Sequence, residues 1–240
     1  AIGTGNVSHI IVTHNHLDHS PLAKPLSEAT GAKIYAFGDH HAGRSAIMKE
    51  LSSQGLAGGG EGIDSRFKPD VILQDGEIIT TNDWTLTALH TPGHIGNHLS
   101  LIWGDAVFSG DHVMGWASSL VSPPDGDLTD FMTSCAKLHA LNSRILYPAH
   151  GAPITAPNAR IDWLTNHRLT REAQVLKALL RGPKTTAKIT SEIYTDIDPA
   201  LLAAAERNVF AHLVDLHQRA KITATPTLST DAKFNPSEEN

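Results

Sequence analysis

The sequence predicts a large α/β domain over residues 1–157, followed by a small helical domain over residues 158–228. Two observations predict this division. Short apolar, β-branched segments alternate with segments of helical periodicity up to Pro157, as in sheets covered by helices. Beyond Pro157 almost every signal is helical, and Ile222 begins the one candidate strand. The 240 residues are enough for one larger and one smaller domain.

The predicted strands of the first domain are short and buried, as their apolar and β-branched residues indicate. They cover residues 9–13, 33–37, 84–91, 99–103, 106–109 and 144–147, with two more around a turn within residues 71–80. Helices are predicted at residues 21–30, 39–53 and 127–141, where apolar residues recur at the spacing of one helix face. Gly31 is predicted to end the first of these helices.

The second domain is predicted to contain three helices and a small strand, which suits a winged-helix-like unit. Two helices cover residues 158–181 and 186–194. The third begins at Asp198-Pro199, where a capping residue precedes a proline at the first helical position. The strand covers residues 222–225, and the polar residues 229–240 are predicted to form a disordered tail.

The composition indicates chemistry that uses histidine. The chain has 15 histidines and only 3 tyrosines, and histidine is the commonest metal ligand in proteins. The net charge of −6 disfavours a dedicated nucleic-acid-binding protein. No apolar run approaches the ~20 residues that cross a membrane, so no membrane partner is expected. The single cysteine, Cys135, cannot form an internal disulfide, which favours a cytoplasmic protein.

A cluster of side chains that can bind metals follows the first predicted strand. The segment Thr13-His14-Asn15-His16-Leu17-Asp18-His19 places three histidines and an aspartate in a turn that can aim them at one point. Three later strands end in the same way, each beside a glycine that permits a sharp turn. Their residues are His94 after Thr91-Pro92-Gly93, Asp111 after Ser109-Gly110, and His150 after Tyr147-Pro148-Ala149.

This set of residues resembles the metal-binding signature of the metallo-β-lactamase superfamily, whose fold is an αββα sandwich. The resemblance implies that His14, His16 and His94 bind one metal, that Asp18, His19 and His150 bind a second, and that Asp111 bridges both. Imidazoles and carboxylates without thiolates suit two Zn²⁺ ions per chain, and also Fe or Mn. A hydroxide shared by two such ions would attack a carbonyl carbon or a phosphorus, with Asp18 orienting the water.

Three further residues near the motif have open roles. His98 and His112 either position the metal ligands or protonate the leaving group, and the positioning role is favoured. Trp116, in the loop that follows Asp111, either lines the substrate pocket or packs within the fold.

The resemblance covers roughly residues 7–223 and is closest to the lactamase-beta-2-like subfamily. It is carried by residues 89–94 with His98, by residues 126–132, and in the second domain by Asn166-His167-Arg168 and residues 208–213. It implies a hydrolase domain followed by a winged-helix extension. Only six residues precede Val7, so the strands that open the family's fold are expected to be missing.

The predicted function is hydrolysis of a small molecule with an ester, thioester or lactone bond by a binuclear metallo-hydrolase. The first alternative is cleavage of single-stranded RNA, an activity associated with some proteins of the subfamily. Six cations would support it: Arg168, Arg171, Lys177, Arg181, Lys184 and Lys188. The acidic chain makes RNA the less favoured partner. The second alternative is a non-catalytic nucleic-acid-binding protein, against which the filled ligand positions argue. The helical domain is also a candidate for forming a homodimer.

Overall fold

The computed structural model of the protein describes residues 7–59 and 62–237. In chain order, the elements are β1 (His9–Ile11), α1 (Ala23–Thr30), β2 (Lys33–Ala36), α2 (Ala46–Ser53), β3 (Val71–Ile72), β4 (Ile78–Thr80), β5 (Thr85–His90), β6 (Leu99–Trp103), β7 (Ala106–Gly110), α3 (Leu128–Ala140), β8 (Ile145–Pro148), α4 (Pro157–Leu179), α5 (Thr186–Ile193), a 3₁₀ helix (Pro199–Leu201), α6 (Leu202–Gln218), β9 (Ile222–Thr225) and β10 (Lys233–Pro236). Gly31 ends α1 with φ of 77°, as predicted. None of the described helices is long and apolar enough to span a membrane.

Two sheets form the centre of the first domain. Strands β1, β2 and β3 pair in parallel, with His9 opposite Lys33 and Tyr35 opposite Val71. Strands β4 to β8 form a second sheet in sequence order, antiparallel up to β7, and β8 joins β7 in parallel. A shared apolar core lies between the sheets, because alternate residues of each strand point to it.

Helices cover the outer face of each sheet. Alternation within β2 directs Ile34 and Ala36 away from the shared core and against α1. On the other sheet, Val107 and Leu146 pack against Phe131 and Leu138 of α3, together with residues of α4. The layers are therefore helix, sheet, sheet, helix, which confirms the predicted αββα architecture.

The C-terminal helices and strands surround a separate core. This core joins α4, α5, α6, β9 and β10 to Met48 and Leu51 of α2. Strand β10 pairs antiparallel with β9, with Phe234 opposite Ala224. The prediction of a disordered tail from residue 229 is therefore wrong up to residue 237. Ala232 and Phe234 alternate inward and are buried while the polar residues between them face outward. Residues 238–240 lie outside the described residues.

Helix α2 begins seven residues later than predicted from the pattern at 39–53. Ser45 sets its start, because the Ser45 hydroxyl accepts the Met48 N–H. The same hydroxyl donates to Asp127 Oδ2 at 2.7 Å, while Asp127 Oδ1 accepts the Thr129 N–H at the start of α3. One carboxylate thus fixes the beginning of two helices, and residues 39–45 remain as a loop at the edge of the sheet.

Candidate metal centre

The seven predicted metal ligands meet at one edge of the two sheets. His14, His16, Asp18 and His19 follow β1, and the other three residues follow β5, β7 and β8. They form two groups whose ligand atoms all lie within 4.8 Å of one another: His14, His16 and His94 in the first set, and Asp18, His19, Asp111 and His150 in the second set. Every residue that the sequence analysis assigned to the metals therefore lies in one of the two sets.

The first set consists of three buried imidazoles. The His14 Nε2 and His94 Nε2 atoms lie 3.0 and 3.1 Å from His16 Nδ1. The His94 Nδ1 atom lies 2.8 Å from the Leu120 carbonyl oxygen, to which it donates. This bond fixes the tautomer of His94 and leaves its Nε2 lone pair directed at the other two rings.

The second set combines two carboxylates with two imidazoles. Asp111 Oδ2 lies 3.2 Å from His19 Nε2 and 3.6 Å from His150 Nε2. The His150 ring also lies 3.1 Å from Asp18 Oδ2. The same Asp111 oxygen is 3.9 Å from His14 Nε2, so this carboxylate faces both sets. It alone occupies the position that the predicted bridging role requires.

Burial keeps His14 and His16 of the first set neutral. Loss of solvation, reinforced by neighbouring imidazoles, lowers the pKa of His14 well below its ordinary value. The same two causes lower the pKa of His16 to about 3. Burial alone would raise the pKa of Asp111, but the His19 imidazole and nearby histidines hold it below its usual value. The site therefore offers neutral nitrogen donors beside an ionised carboxylate near pH 7.

These properties fit a pair of divalent metal ions. The His14 and His94 Nε2 atoms both lie about 3 Å from His16 Nδ1, close enough for all three nitrogens to be ligands of one cation. Asp111 Oδ1 is buried, and within residues 7–59 and 62–237 it has no hydrogen-bond partner. Such an orphaned carboxylate oxygen costs free energy unless a cation or donor satisfies it. Nitrogen and carboxylate donors without thiolate suit Zn²⁺, with Fe or Mn as alternatives.

A supporting segment that the motif did not reveal holds the turn after β1. The Asp64 N–H donates to the Asn15 carbonyl oxygen, and the Asn15 amide donates to the Asp64 carbonyl oxygen at 3.2 Å. The Ser20 hydroxyl donates to Asp64 Oδ2 at 3.0 Å. Asp64 thereby braces the turn that carries four of the seven candidate ligands.

His98 contacts the backbone of the bridging aspartate. Its Nε2 atom accepts the Asp111 N–H at 3.1 Å, and its Nδ1 lies 2.9 Å from the Thr91 hydroxyl. Gly110 allows this approach, because a Cβ atom there would lie 2.4 Å from His98 Nε2. Since both ring nitrogens are engaged and the ring is fully buried, the geometry favours positioning over proton donation.

His112 points away from the metal centre and into the core against α3. Its ring lies 4.5 Å from Phe131, and its Nε2 lies 3.6 Å from Cys135 Sγ. Burial lowers its pKa to about 3, so the ring is neutral near pH 7 and lacks the additional proton of a general acid. His112 therefore packs in the core, although it follows the bridging residue directly in sequence.

Trp116 lies at the mouth of the site. Its side chain is exposed, and a Cβ atom on Gly151 would lie 3.0 Å from its Cδ1. It therefore lies beside Gly151, the residue that follows His150. Arg160 of α4 fixes this loop by donating to the carbonyl oxygens of Met114 and Ala117, each at 2.7 Å.

The structure also contains a buried arginine that the motifs did not single out as a site residue. Arg168 is 3% exposed and donates to the Ser119 carbonyl oxygen in the loop behind the metal centre. A signal for its burial exists in the sequence, because Ile161, Leu164, Arg168 and Val175 share the apolar stripe of α4.

Fold and site together define a metal-competent αββα protein with a C-terminal winged-helix unit. Family comparison agrees: residues 2–150 match the metallo-beta-lactamase superfamily, and residues 185–227 match the beta-lactamase associated winged helix domain. The chain belongs to the metallo-beta-lactamase superfamily, whose members are generally hydrolases.

Sequence relatives include a beta-lactamase-like protein 2 homolog from Caenorhabditis elegans, which is 28% identical over 85% of this chain and 63% of its own length. The Drosophila melanogaster homolog of that protein is 26% identical over 95% of this chain and 74% of its own length. An atrochrysone carboxyl ACP thioesterase from Aspergillus fumigatus is 30% identical over 72% of this chain and 47% of its own length. The chain thus spans less than two thirds of the worm and fungal relatives.

Solved structures share the whole fold. A metallo-beta-lactamase family protein from Thermus thermophilus superposes with a TM-score of 0.73 at 22% identity, over 96% of this chain and 80% of the other. A beta-lactamase domain protein from Burkholderia ambifaria gives a TM-score of 0.78 at 20% identity, over 98% of this chain and 75% of the other. At these identities the likeness supports the fold and no particular reaction.

Proposed function

We propose that the chain is a binuclear metallohydrolase that cleaves an ester, thioester or lactone bond in a small molecule, with zinc as the metal. One observation carries this proposal: two sets of ligand atoms face each other across the single carboxylate of Asp111. A cluster of histidines that only packs within the fold would not explain a carboxylate that faces both sets and has one oxygen without a hydrogen-bond partner among the described residues. This carboxylate lies at the edge of a sheet, where the loops that follow several strands converge.

The protein's own residues would hold and orient the reacting groups. Two divalent ions would supply Lewis acidity and lower the pKa of a bound water to about 7. Asp111 Oδ2 faces both sets and would fix their positions relative to one another, and His98 fixes the backbone of Asp111 by accepting its N–H. Asp18 is half exposed at the open side, where its second oxygen can accept a proton from an incoming water.

Thioesters are the favoured substrate class. A fungal relative named as an ACP thioesterase is 30% identical to this chain over 72% of this chain's residues. A thioester carbonyl is also more electrophilic than a phosphodiester, so a nucleophile formed near neutral pH suffices to attack it. The exposed side chains of His150 and Trp116 leave the open side of the site accessible to an acyl group.

The test compares metal content and hydrolysis in the unmodified chain and in Asp111→Ala. Elemental analysis should find about two metals per chain in the first, with a sharp fall in the variant. A panel of acyl thioesters, lactones and single-stranded RNA then identifies the substrate class. If metal added back to the unmodified protein is not retained, the hydrolase proposal is wrong for this chain.

Single-stranded RNA is a second candidate, favoured by one surface of α4. Along this helix the Arg160 guanidinium lies 4.3 Å from the centre of the Trp163 ring, which stacks on His167 at 5.3 Å. Arg171, one turn further, lies 4.4 Å from the centre of the ring of Tyr194, the residue that follows α5. Alternating cations and exposed rings are the features with which proteins bind unpaired bases.

This candidate is tested by Trp163→Ala, with Trp103→Ala as the matched control. Both tryptophans are about half exposed, but Trp103 lies on β6, away from the α4 surface. RNA cleavage predicts that only Trp163→Ala weakens binding of single-stranded RNA, by ~1–3 kcal/mol per stacked base. Equal binding by both variants would remove this candidate. A purely nucleic-acid-binding role has less support, because Lys184 and Lys188 near α5 both pair with Glu192.

A further inference from the structure

The loop behind the metal centre is tied to the C-terminal helices through a buried arginine. Arg168 of α4 donates through Nη1 to Asn208 Oδ1 of α6 at 2.8 Å and through Nη2 to the Ser119 carbonyl oxygen. Its guanidinium also lies 5.1 Å from the centre of the Phe131 ring. These contacts place one cation between α3, α4, α6 and the loop that follows Asp111.

The burial of this cation is costly and calls for an explanation. No described carboxylate forms an ion pair with Arg168, so its partners are a carbonyl, an amide and an aromatic ring. A buried charge without a counter-charge destabilises a fold unless its hydrogen bonds are well made. Only Arg carries several donors in a rigid plane, which lets one side chain hold two acceptors on different elements.

The loop residues that it holds contact both metal sets. The Ser119 hydroxyl donates toward the carbonyl oxygens of Asp111 and His112. The next residue, Leu120, offers its carbonyl oxygen to His94 Nδ1 at 2.8 Å. The third, Val121, donates its N–H to Asn208 Oδ1 at 3.4 Å. Residues 119–121 therefore lie between the Arg168–Asn208 pair on one side and His94 and Asp111 on the other.

We propose that Arg168 and Asn208 are positioning residues that set the geometry of the metal centre from the C-terminal helices. Resting on the proposed function, this inference assigns the helical extension a role in metal binding. Through Ser119 the pair fixes the backbone of the bridging aspartate, and through Leu120 it fixes the ring of His94. One side chain thereby supports a member of each metal set, and neither Arg168 nor Asn208 is itself a ligand.

Arg160 provides a matched control on the same helix. It also donates two hydrogen bonds to loop carbonyl oxygens, but those belong to Met114 and Ala117, in the part of the loop that carries Trp116. Arg160 has no described hydrogen bond to residues 119–121, His94 or Asp111. Removing it tests whether any loss of loop support from α4 disturbs the metals.

The experiment measures Zn²⁺ affinity by competition with a chromophoric chelator, and the visible absorption spectrum of the Co²⁺-loaded protein. The variants are Arg168→Met, Arg168→Lys, Asn208→Ala and Arg160→Met, each checked for folding by circular dichroism. Arg168→Met and Asn208→Ala should weaken Zn²⁺ binding by ~10–100-fold, the usual effect of losing a partner of a metal ligand. Both should also change the Co²⁺ spectrum. The Zn²⁺ affinity of Arg168→Lys should lie between that of these two variants and that of the unmodified chain. Arg160→Met should have the Zn²⁺ affinity and the Co²⁺ spectrum of the unmodified chain.

Unchanged Zn²⁺ affinity and Co²⁺ spectra in folded Arg168→Met and Asn208→Ala would overturn the inference, as would an equal loss in Arg160→Met. If Arg168→Met does not fold, Asn208→Ala and Ser119→Ala decide, because Ser119→Ala removes only the hydroxyl that contacts the Asp111 carbonyl oxygen. An unmodified chain that retains no Zn²⁺ would instead count against the proposed function itself, so the two failures are distinguishable.

Discussion

The two metal sets differ in burial and in charge. The first set contains three imidazoles that are almost completely buried, and no carboxylate of its own. In the second set the side chains of Asp18 and His150 are 49% and 44% exposed, and two carboxylates contribute negative charge. Burial shields the first set from exchange with solvent. In the second set, the negative charge of two carboxylates favours the binding of a cation despite the greater exposure. Under the proposed function, the first set would anchor one metal and the second set would hold the metal that faces the substrate.

The largest expected effect comes from removing one ligand of each set. His16→Ala should lose the metal of the first set, and His150→Ala should lose the metal of the second. Each variant should lower the rate of hydrolysis by more than ~100-fold, because ~100-fold is the largest usual loss when a residue that only supports a ligand is removed. Metal analysis of each variant measures this. His139→Ala is the control, because His139 is exposed on α3 and pairs with Asp162. Loss of both metals from each variant would show that the two sets bind cooperatively and that the comparison fails.

Removal of the support under Asp111 should have a smaller effect. His98→Leu deletes the acceptor for the Asp111 N–H, whereas His98→Gln retains a polar atom able to accept it. We expect metal affinity to fall by ~10–100-fold in His98→Leu and by less in His98→Gln. Competition with a chelator measures both. Equal affinities in the two variants would show that the hydrogen bond to Asp111 contributes nothing.

The difference in exposure predicts an order of metal loss. Treatment with a chelator should release the metal of the open second set before that of the buried first set, in two phases of equal amplitude. In His150→Ala the fast phase should be missing, and in His16→Ala the slow phase. A single phase in the unmodified chain would mean that exposure at Asp18 and His150 does not govern release.

The pH dependence of stability tests whether burial lowers the pKa of His212, a histidine outside both metal sets. His212 is buried far from both sets, and within the described chain neither of its ring nitrogens has a hydrogen-bond partner. Burial, assisted by Arg168, lowers its pKa from 6.5 to about 3. The unfolded chain therefore binds more protons below pH 6.5, so the stability from a neutral His212 is present above pH 6.5 and lost as the pH falls.

We expect His212 to contribute a loss of about 1.36 kcal/mol for each pH unit below 6.5 until the pH nears 3. Urea unfolding of metal-free protein at pH 7 and pH 4.5 measures the free energy of unfolding, and His212→Leu should show the shallower fall. Parallel slopes in the two proteins would show that the pKa of His212 is not lowered in the folded chain.

The sequence was sufficient to predict which candidate ligands come together and where most elements lie, because both depend on local patterns. A strand followed by a glycine turn predicts where His94, Asp111 and His150 project, whatever lies further away. Prediction from the sequence failed where contacts with distant residues determine the local structure. His112 adjoins a ligand but turns toward Phe131, and the start of α2 depends on Asp127, which is 82 residues away from Ser45. Strand β10 was missed because its polar sequence becomes a strand through pairing with β9 and with Lys184, which the local pattern does not reveal.

The contact of α2 with the C-terminal core bears on how the chain unfolds. Met48 and Leu51 lie early in the sequence, yet they fill the interior formed by α4, α5 and α6. If the chain were cut at the predicted boundary after residue 157, Met48 and Leu51 of the first fragment would be exposed to water. The helices of the second fragment would be left with a cavity at the position of those two side chains. Such a cavity costs ~2–5 kcal/mol for each large apolar side chain removed. Heat or denaturant should therefore unfold both parts of the chain in a single cooperative transition. A chimera that takes its C-terminal helices from a relative would also need α2 of that relative.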